Sequence, residues 1–335
     1  MHHMSLSVSS SDAFSLRFVN RVFVTRELPE KVMAPLRHEH DVTTWDGDGP
    51  VPNDVLVSEA STAEGLLCMI TDAIGLPLLD RASHLRVISQ MAVGVDNIDI
   101  GECSRRGILV GHTPGVLTET VADSAFALLG AAARRLFEGE REVRSGKWGP
   151  WEPFHLTGGD LHDTTLGIVG MGRIGRAIAR RATGYEMRVL YSSPARKDLD
   201  DADHVSLEVL LAESDHVVLS ASLNDATRGL IGASELRLMR PTAYLVNVAR
   251  GPLVNTVDLI EALLSGWIAG AALDVTDPEP LPRDHPLLSL PNCLVVPHLG
   301  SASVRTRNAM AALAVENLIA GLEGWSMPAA YSTAG

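Results

Sequence analysis

Cysteine is scarce, basic residues are outnumbered, and long apolar runs do not occur; each shortage removes a class of function. Three cysteines in 335 residues, Cys68, Cys103 and Cys293, form no CxxC pair and no disulfide framework. A reducing, cytoplasmic setting is therefore expected. Lys and Arg total 28 against 41 Asp and Glu, a net charge of −13, which weighs against nucleic acid or an anionic membrane surface as partner. It leaves open an anionic small molecule, because one pocket can be positive on a negative protein. No apolar segment reaches bilayer length; the best, 125–133, is bracketed by Asp123 and Arg134. The start, Met1-His2-His3-Met4 and a Ser-rich stretch to Ser15, lacks the apolar core of a signal peptide. Residues 1–20 read as a disordered tail or cloning remnant, and no metal site is expected from His2 and His3.

What is present is a 46% hydrophobic, 21% charged composition, that of a globular protein long enough for two domains. From residue 20 onward, short apolar runs alternate with helical patterns, the signature of parallel α/β sheets. Strands are expected at 21–25, 66–70, 85–91 and 108–111. Leu117, Val121, Ala125, Leu128, Leu129, Ala132 and Leu136 then recur at helical spacing. They predict one helix over 117–145, roughly 40 Å long, bridging domains or packing on another subunit. A second block predicts strands at 165–169, 187–191, 216–220, 244–248, 270–275 and 293–296. Its final helix, 303–322, follows the last strand and is placed to cross back to the first block.

Leu166-Gly167-Ile168-Val169-Gly170-Met171-Gly172-Arg173-Ile174-Gly175 is a strand running into GxGxxG and then a helix. Gly170 permits the tight turn, Gly172 lets backbone approach a pyrophosphate, and Gly175 lets the helix pack on the strand. The helix N-terminus offers unpaired N–H donors to the phosphates. Met171, Arg173 and Ile174 complete this cofactor loop. Most such sites end the second strand with Asp or Glu. Here the chain reads Tyr191-Ser192-Ser193-Pro194-Ala195-Arg196-Lys197. An acidic residue would repel a 2′-phosphate, whereas Ser192, Ser193, Arg196 and Lys197 would hold one by charge-assisted hydrogen bonds. NADP(H) is thus expected in preference to NAD(H), which stays possible.

Three further segments carry chemistry: 246–251 with Arg250, 273–282 with Glu279, and 296–301 with His298. Each follows a proposed strand of the cofactor sheet, so the three residues can converge beyond its carboxyl edge. The other histidines have no comparable context. No ligand set with metal-site spacing appears, and no metal is expected.

At these residues, and from about Gly65 to Pro328, the chain resembles the D-isomer-specific 2-hydroxyacid dehydrogenases, most closely the glyoxylate/hydroxypyruvate reductases. The resemblance includes Gly65-Leu66-Leu67-Cys68, Met91-Ala92-Val93-Gly94-Val95-Asp96, and Thr113 through Thr120. Trp148-Gly149-Pro150-Trp151 and His285-Pro286-Leu287-Leu288 point to the reductases. The resemblance implies two parallel-sheet domains of Rossmann-like and flavodoxin-like type. The NAD(P)-binding domain (116–300, including helix 117–145) is inserted into a discontinuous substrate domain (21–115 plus 301–335).

It also implies residue roles. Arg250 binds the substrate carboxylate and 2-oxo group, since a planar fork suits two adjacent oxygens. His298 is the general acid/base. Glu279 orients its ring and favours its protonated form. Val93 and Gly94 offer backbone N–H groups to the carboxylate, and Ser301 joins the substrate contacts. Asp274 and the backbone near Ala249 hold the nicotinamide carboxamide, and Thr120 touches the pyrophosphate. Asp96 and Asp99 are read as loop supports. In the resembled reductases the tryptophan matching Trp151 reaches the partner subunit's site and narrows it, implying a homodimer and a preference for small polar substrates over those with an apolar tail. Ser222 stands where many family members have proline, a departure in the cofactor-facing loop. The expected activity is reduction of glyoxylate and hydroxypyruvate; a larger 2-oxo acid such as 2-ketogluconate, or a non-enzymatic corepressor-like nucleotide sensor, are the alternatives.

Overall fold

The chain is described by a computed structural model over residues 19–332. The expected tail lies outside them except for Val19 and Asn20, and Asn20 is buried against His40. Strands β1 (Arg21–Val24), β2 (Asp41–Thr44), β3 (Gly65–Cys68), β4 (Val87–Gln90) and β5 (Leu109–Gly111) form a parallel sheet ordered β2-β1-β3-β4-β5. A second parallel sheet contains β6 (Thr165–Val169), β7 (Arg188–Ser192), β8 (Asp203–His204), β9 (His216–Leu219), β10 (Tyr244–Asn247), β11 (Gly270–Leu273) and β12 (Cys293–Val295). Its order is β12-β11-β10-β9-β6-β7-β8. Every residue of β3, β4, β9, β10 and β11 is buried. Helices on both faces cover such strands, which is why most of their residues are apolar.

The covering helices of the first sheet are α1 (Glu30–Glu39), α2 (Asn53–Ala60), α3 (Leu76–Leu79) and α4 (Ile100–Arg106). Those that follow are α5 (Thr118–Ala133), α6 (Leu136–Arg144), α7 (Arg173–Ala182), α8 (Leu207–Glu213), α9 (Ala233–Leu238), α10 (Thr256–Leu264) and α11 (Val304–Leu322). Local signals set several ends: Asp99 caps α4 through Glu102 N–H, Asn255 caps α10, and Ser303 caps α11 through Thr306 N–H. As expected, α11 crosses back to the first sheet. Ala311, Ala314, Val315 and Leu318 share a core with Val22, Val24, Leu67 and Val87, and Ser89 donates to the Ala314 carbonyl at 2.7 Å.

The helix expected over 117–145 is instead two. α5 ends at Ala133, and Arg135 takes a left-handed conformation at φ 51° before α6 begins. The cause is tertiary. The chain returning at residue 159 donates its N–H to the Ala133 carbonyl at 2.9 Å, taking a terminal acceptor of α5. α5 packs on α7, β10 and β11, whereas α6 buries none of its residues. The short strands β2 and β8 were not anticipated. Both lie at sheet edges, where β2 is partly and β8 wholly exposed, leaving no apolar run to read.

Candidate active site

The two strand orders each reverse direction once, between β1 and β3 and between β6 and β9. Ligands of open α/β sheets bind beyond the carboxyl ends of strands at such points. The segments leaving carboxyl ends of the two sheets, Met69–Thr71 after β3 and Met91–Gly94 after β4 on one side, and Val248, Arg250, Asp274 and His298 after β10, β11 and β12 on the other, line one cavity of about 270 Å³.

On the cofactor-side sheet, the glycine turn behaves as its spacing requires. Gly170 has φ +97°, and a Cβ there would lie 2.6 Å from Ala221 backbone. A Cβ on Gly175 would lie 2.2 Å from the Gly170 carbonyl, so helix α7 seats against the strand only with glycine there. Nothing lies within 4 Å of the corresponding point at Gly172, which caps α7. That open space over a helix N-terminus fits a pyrophosphate. The Met171 side chain is in the core at 2% exposure, leaving only its backbone for a ligand; Arg173 is exposed and Ile174 lines the cavity.

Ser192 ends β7, beside β6. Ser193 donates to the Ala195 carbonyl at 2.7 Å, and the buried Tyr191 hydroxyl donates to the Lys197 carbonyl at 3.0 Å and accepts from Lys197 N–H at 2.8 Å. The 193–197 loop is therefore folded onto Tyr191, with Arg196 exposed. Ser222 sits in the loop after β9, where its carbonyl accepts from the Thr227 hydroxyl at 2.7 Å.

The three predicted catalytic residues come together. His298 Nδ1 and Glu279 Oε1 are 2.7 Å apart, leaving Nε2 as the ring atom not engaged by the carboxylate. Burial by itself would raise the Glu279 carboxyl; the hydrogen bond and charge of His298, the Thr276 N–H and Arg250 outweigh it, and the carboxyl sits below its ordinary range. His298 has a left-handed backbone, φ 54°, which a non-glycine residue adopts only when its surroundings hold it. Asp274 does much of that. Its carbonyl accepts from His298 N–H at 2.9 Å, and its carboxylate accepts from the N–H groups of Leu299 (2.5 Å) and Gly300 (2.8 Å). Asp274 is 3% exposed and lines the cavity.

Arg250 pairs with Asp96 through Nε at 3.0 Å and donates from Nη1 to the Ala249 carbonyl at 2.8 Å. Val93, Gly94 and Ser301 line the same cavity. Neither the Val93 nor the Gly94 N–H donates a hydrogen bond among the described residues. Thr120 pairs with the Thr306 hydroxyl at 2.7 Å, tying α5 to α11. Trp151 is 85% exposed and lies outside the cavity of its own chain.

Two contributors were not anticipated. Arg307 of α11 lines the cavity, and its guanidinium is 3.5 Å from the His298 carbonyl. Asp96 reaches Arg250 across 154 positions of chain. The cysteines take no part: all three are buried, and burial pushes Cys103 up to about 11 and Cys293 to about 12.

A doubly wound sheet with this glycine turn, and a His–carboxylate pair sharing one cavity wall with an arginine, define a nicotinamide-dependent dehydrogenase. Residues 126–300 match the sequence profile of the D-isomer specific 2-hydroxyacid dehydrogenase, NAD binding domain. The chain is 46% identical over 316 residues to the glyoxylate reductase/hydroxypyruvate reductase of Homo sapiens, covering 92% of this chain and 96% of that one. A Thermus thermophilus protein of solved structure superposes with a TM-score of 0.88 at 47% identity, over 93% of this chain and all of the other. An NADPH-dependent glyoxylate/hydroxypyruvate reductase from Sinorhizobium meliloti, solved with NADP and malonate, gives 0.83 at 30% identity over 93% and 97%. The chain belongs to the D-isomer specific 2-hydroxyacid dehydrogenase family. No helix among the described residues is long and apolar enough to cross a membrane.

Proposed function

We propose that this enzyme reduces glyoxylate to glycolate and hydroxypyruvate to D-glycerate, using NADP(H) in preference to NAD(H). The observation that carries this reading is the convergence of Arg250 with the His298–Glu279 pair in one small cavity, beside unengaged Val93 and Gly94 N–H groups. The guanidinium and those two N–H groups bind the carboxylate of a 2-oxo acid. The outer hydrogens of Arg250 also polarise the 2-oxo group. A reduced nicotinamide, when bound, supplies the hydride to the 2-oxo carbon. His298 gives its Nε2 proton to the developing alkoxide, and Glu279 stabilises the charged imidazole before that transfer. In the oxidative direction neutral His298 takes the proton back. Asp274 keeps the imidazole in place by holding the 298–300 turn, and Ser301 closes the cavity wall.

The cofactor preference rests on chemistry at the end of β7. Ser192, Ser193, Arg196 and Lys197 occupy the position where an acidic side chain would repel a 2′-phosphate. Gly170 through Gly175, Thr120, Ala249 and Asp274 line the remainder of the cofactor's path.

The substrate domain is assigned to 21–115 plus 301–335 and the cofactor domain to 116–300, in a cytoplasmic homodimer. Leu136, Val143, Trp148, Trp151 and Phe154 are all more than half exposed in the single chain. They form the dimer surface that brings Trp151 to the partner's cleft, where an indole favours small polar substrates. A monomeric mass in light scattering would contradict that assignment.

The experiment that tests the whole reading is steady-state kinetics over a panel of 2-oxo acids with both NADPH and NADH. Glyoxylate and hydroxypyruvate are expected to give the highest kcat/KM, with NADPH. Poor turnover of both beside a 2-ketoaldonate would replace them with the larger substrate; no turnover of any 2-oxo acid would favour a nucleotide-sensing protein.

A further inference from the structure

Asp96 reads in sequence as a loop support, yet its carboxylate reaches the opposite wall of the cleft. Arg250 Nε donates to Asp96 Oδ1 at 3.0 Å and Oδ2 at 3.3 Å, and Nη1 donates to the Ala249 carbonyl at 2.8 Å. A guanidinium has five N–H donors. These contacts use Nε–H and one hydrogen of Nη1; the other Nη1 hydrogen and both on Nη2 make no hydrogen bond among the described residues. Nη2 stands over Gly94, where a Cβ would lie 2.1 Å from it. Asp96 thus grips the inner edge of the guanidinium, and its outer end faces the segment that carries the Val93 and Gly94 N–H groups.

The loop bearing Asp96 is itself fixed. Gln90 Nε2 donates to Asn97 Oδ1 at 2.6 Å and to the Gly94 carbonyl at 3.3 Å. Asn97 Nδ2 donates to the carbonyls of Met69 at 3.0 Å and Asp72 at 2.8 Å. A carboxylate placed beside an anion site opposes the binding of an anionic substrate. Its value lies in removing the rotational freedom of a long arginine before substrate arrives.

We propose that Asp96 is a positioning residue for the reaction: it selects, from across the cleft, the Arg250 rotamer whose outer N–H groups meet the 2-oxo acid. The proposal rests on the assignment of Arg250 as the substrate-binding arginine. Two opposed effects fall on binding, relieved repulsion and lost alignment, while only lost alignment falls on turnover.

The test compares Asp96→Ala and Asp96→Asn, each alone and combined with Arg250→Lys, by kcat and KM for glyoxylate and by NADPH affinity from fluorescence. Asp96→Ala should lower kcat about tenfold to a hundredfold while KM moves less than about threefold. NADPH affinity should stay unchanged. Asp96→Asn, which keeps an oxygen for the Nε–H, should recover kcat to within about threefold of wild type. In the Arg250→Lys background Asp96→Ala should add less than about twofold. A wild-type kcat in Asp96→Ala, an equal loss in Asp96→Asn, or a full additive loss on top of Arg250→Lys would each overturn the proposal. Asp96→Ser takes the place of Asp96→Ala if the latter does not fold. If the wild-type enzyme reduces neither glyoxylate nor hydroxypyruvate, the substrate assignment fails instead, and the same comparison is run on the 2-oxo acid it does reduce.

Discussion

Replacing Glu279 by Gln isolates the electrostatic part of the His298–Glu279 pair, because the amide oxygen can still accept from Nδ1–H at a comparable distance. The pair is 2.7 Å long, with side chains 27% and 38% exposed. A charge-assisted hydrogen bond contributes about 1.5–3 kcal/mol when well shielded. Partial exposure screens it to about 1–1.5 kcal/mol, which corresponds to roughly a fivefold to tenfold change in rate. The sign follows from which form of His298 acts. Reduction draws its proton from the charged ring, which a neighbouring carboxylate stabilises and an amide does not. Glu279→Gln should therefore lower kcat/KM for glyoxylate reduction about fivefold to tenfold at neutral pH. NADPH affinity should not change. Turnover by Glu279→Gln within about twofold of wild type would show that Glu279 orients the ring without contributing charge, and would refute the electrostatic argument. In the wild-type enzyme Glu279 is held below its ordinary range, so its support is present at neutral pH and is lost only as pH falls through that lowered value.

Two other perturbations separate packing from ligand binding and one cofactor from another. Gly175→Ala forces a methyl to 2.2 Å from the Gly170 carbonyl and should destabilise the fold by about 1–3 kcal/mol in chemical denaturation. Gly172→Ala, with open space at that point, should leave stability within about 0.5–1 kcal/mol of wild type while weakening cofactor binding; equal stability losses would contradict the packing argument. Arg196→Ala combined with Lys197→Ala should lower kcat/KM for NADPH by about tenfold to a hundredfold and leave NADH within about twofold. A parallel fall with both cofactors would remove those residues from 2′-phosphate recognition.

The site was legible in sequence where its chemistry is local. Arg250, Glu279 and His298 each follow a strand of the second sheet, and segments such as Tyr244–Asn247 and Gly270–Leu273 announce themselves by their mostly apolar residues. The glycine turn was legible for the same reason, as strand, turn and helix are contiguous. What sequence hid depends on segments far apart in the chain. The end of α5 is set by backbone from residue 159, and neither Arg134 nor Arg135 carries a helix-breaking preference. Arg307 enters the cavity only because α11 returns to the first sheet. Asp96 lies two residues beyond Gly94, in the segment that carries the Val93 and Gly94 N–H groups, yet only the fold brings it to Arg250. Strand periodicity cannot say that its carboxylate would meet an arginine rather than solvent. Net acidity misled only at low resolution, since the cavity of a −13 chain still holds Arg250, Arg307 and His298.

The most direct test of the account is His298→Ala, measured by glyoxylate turnover and NADPH binding on the same preparation. Loss of the general acid should lower kcat by about a hundredfold to ten-thousandfold, with NADPH affinity within about twofold of wild type, because His298 faces the substrate cavity and not the glycine turn. Turnover close to the wild-type rate would contradict the assignment of His298 and the proton transfer built on it.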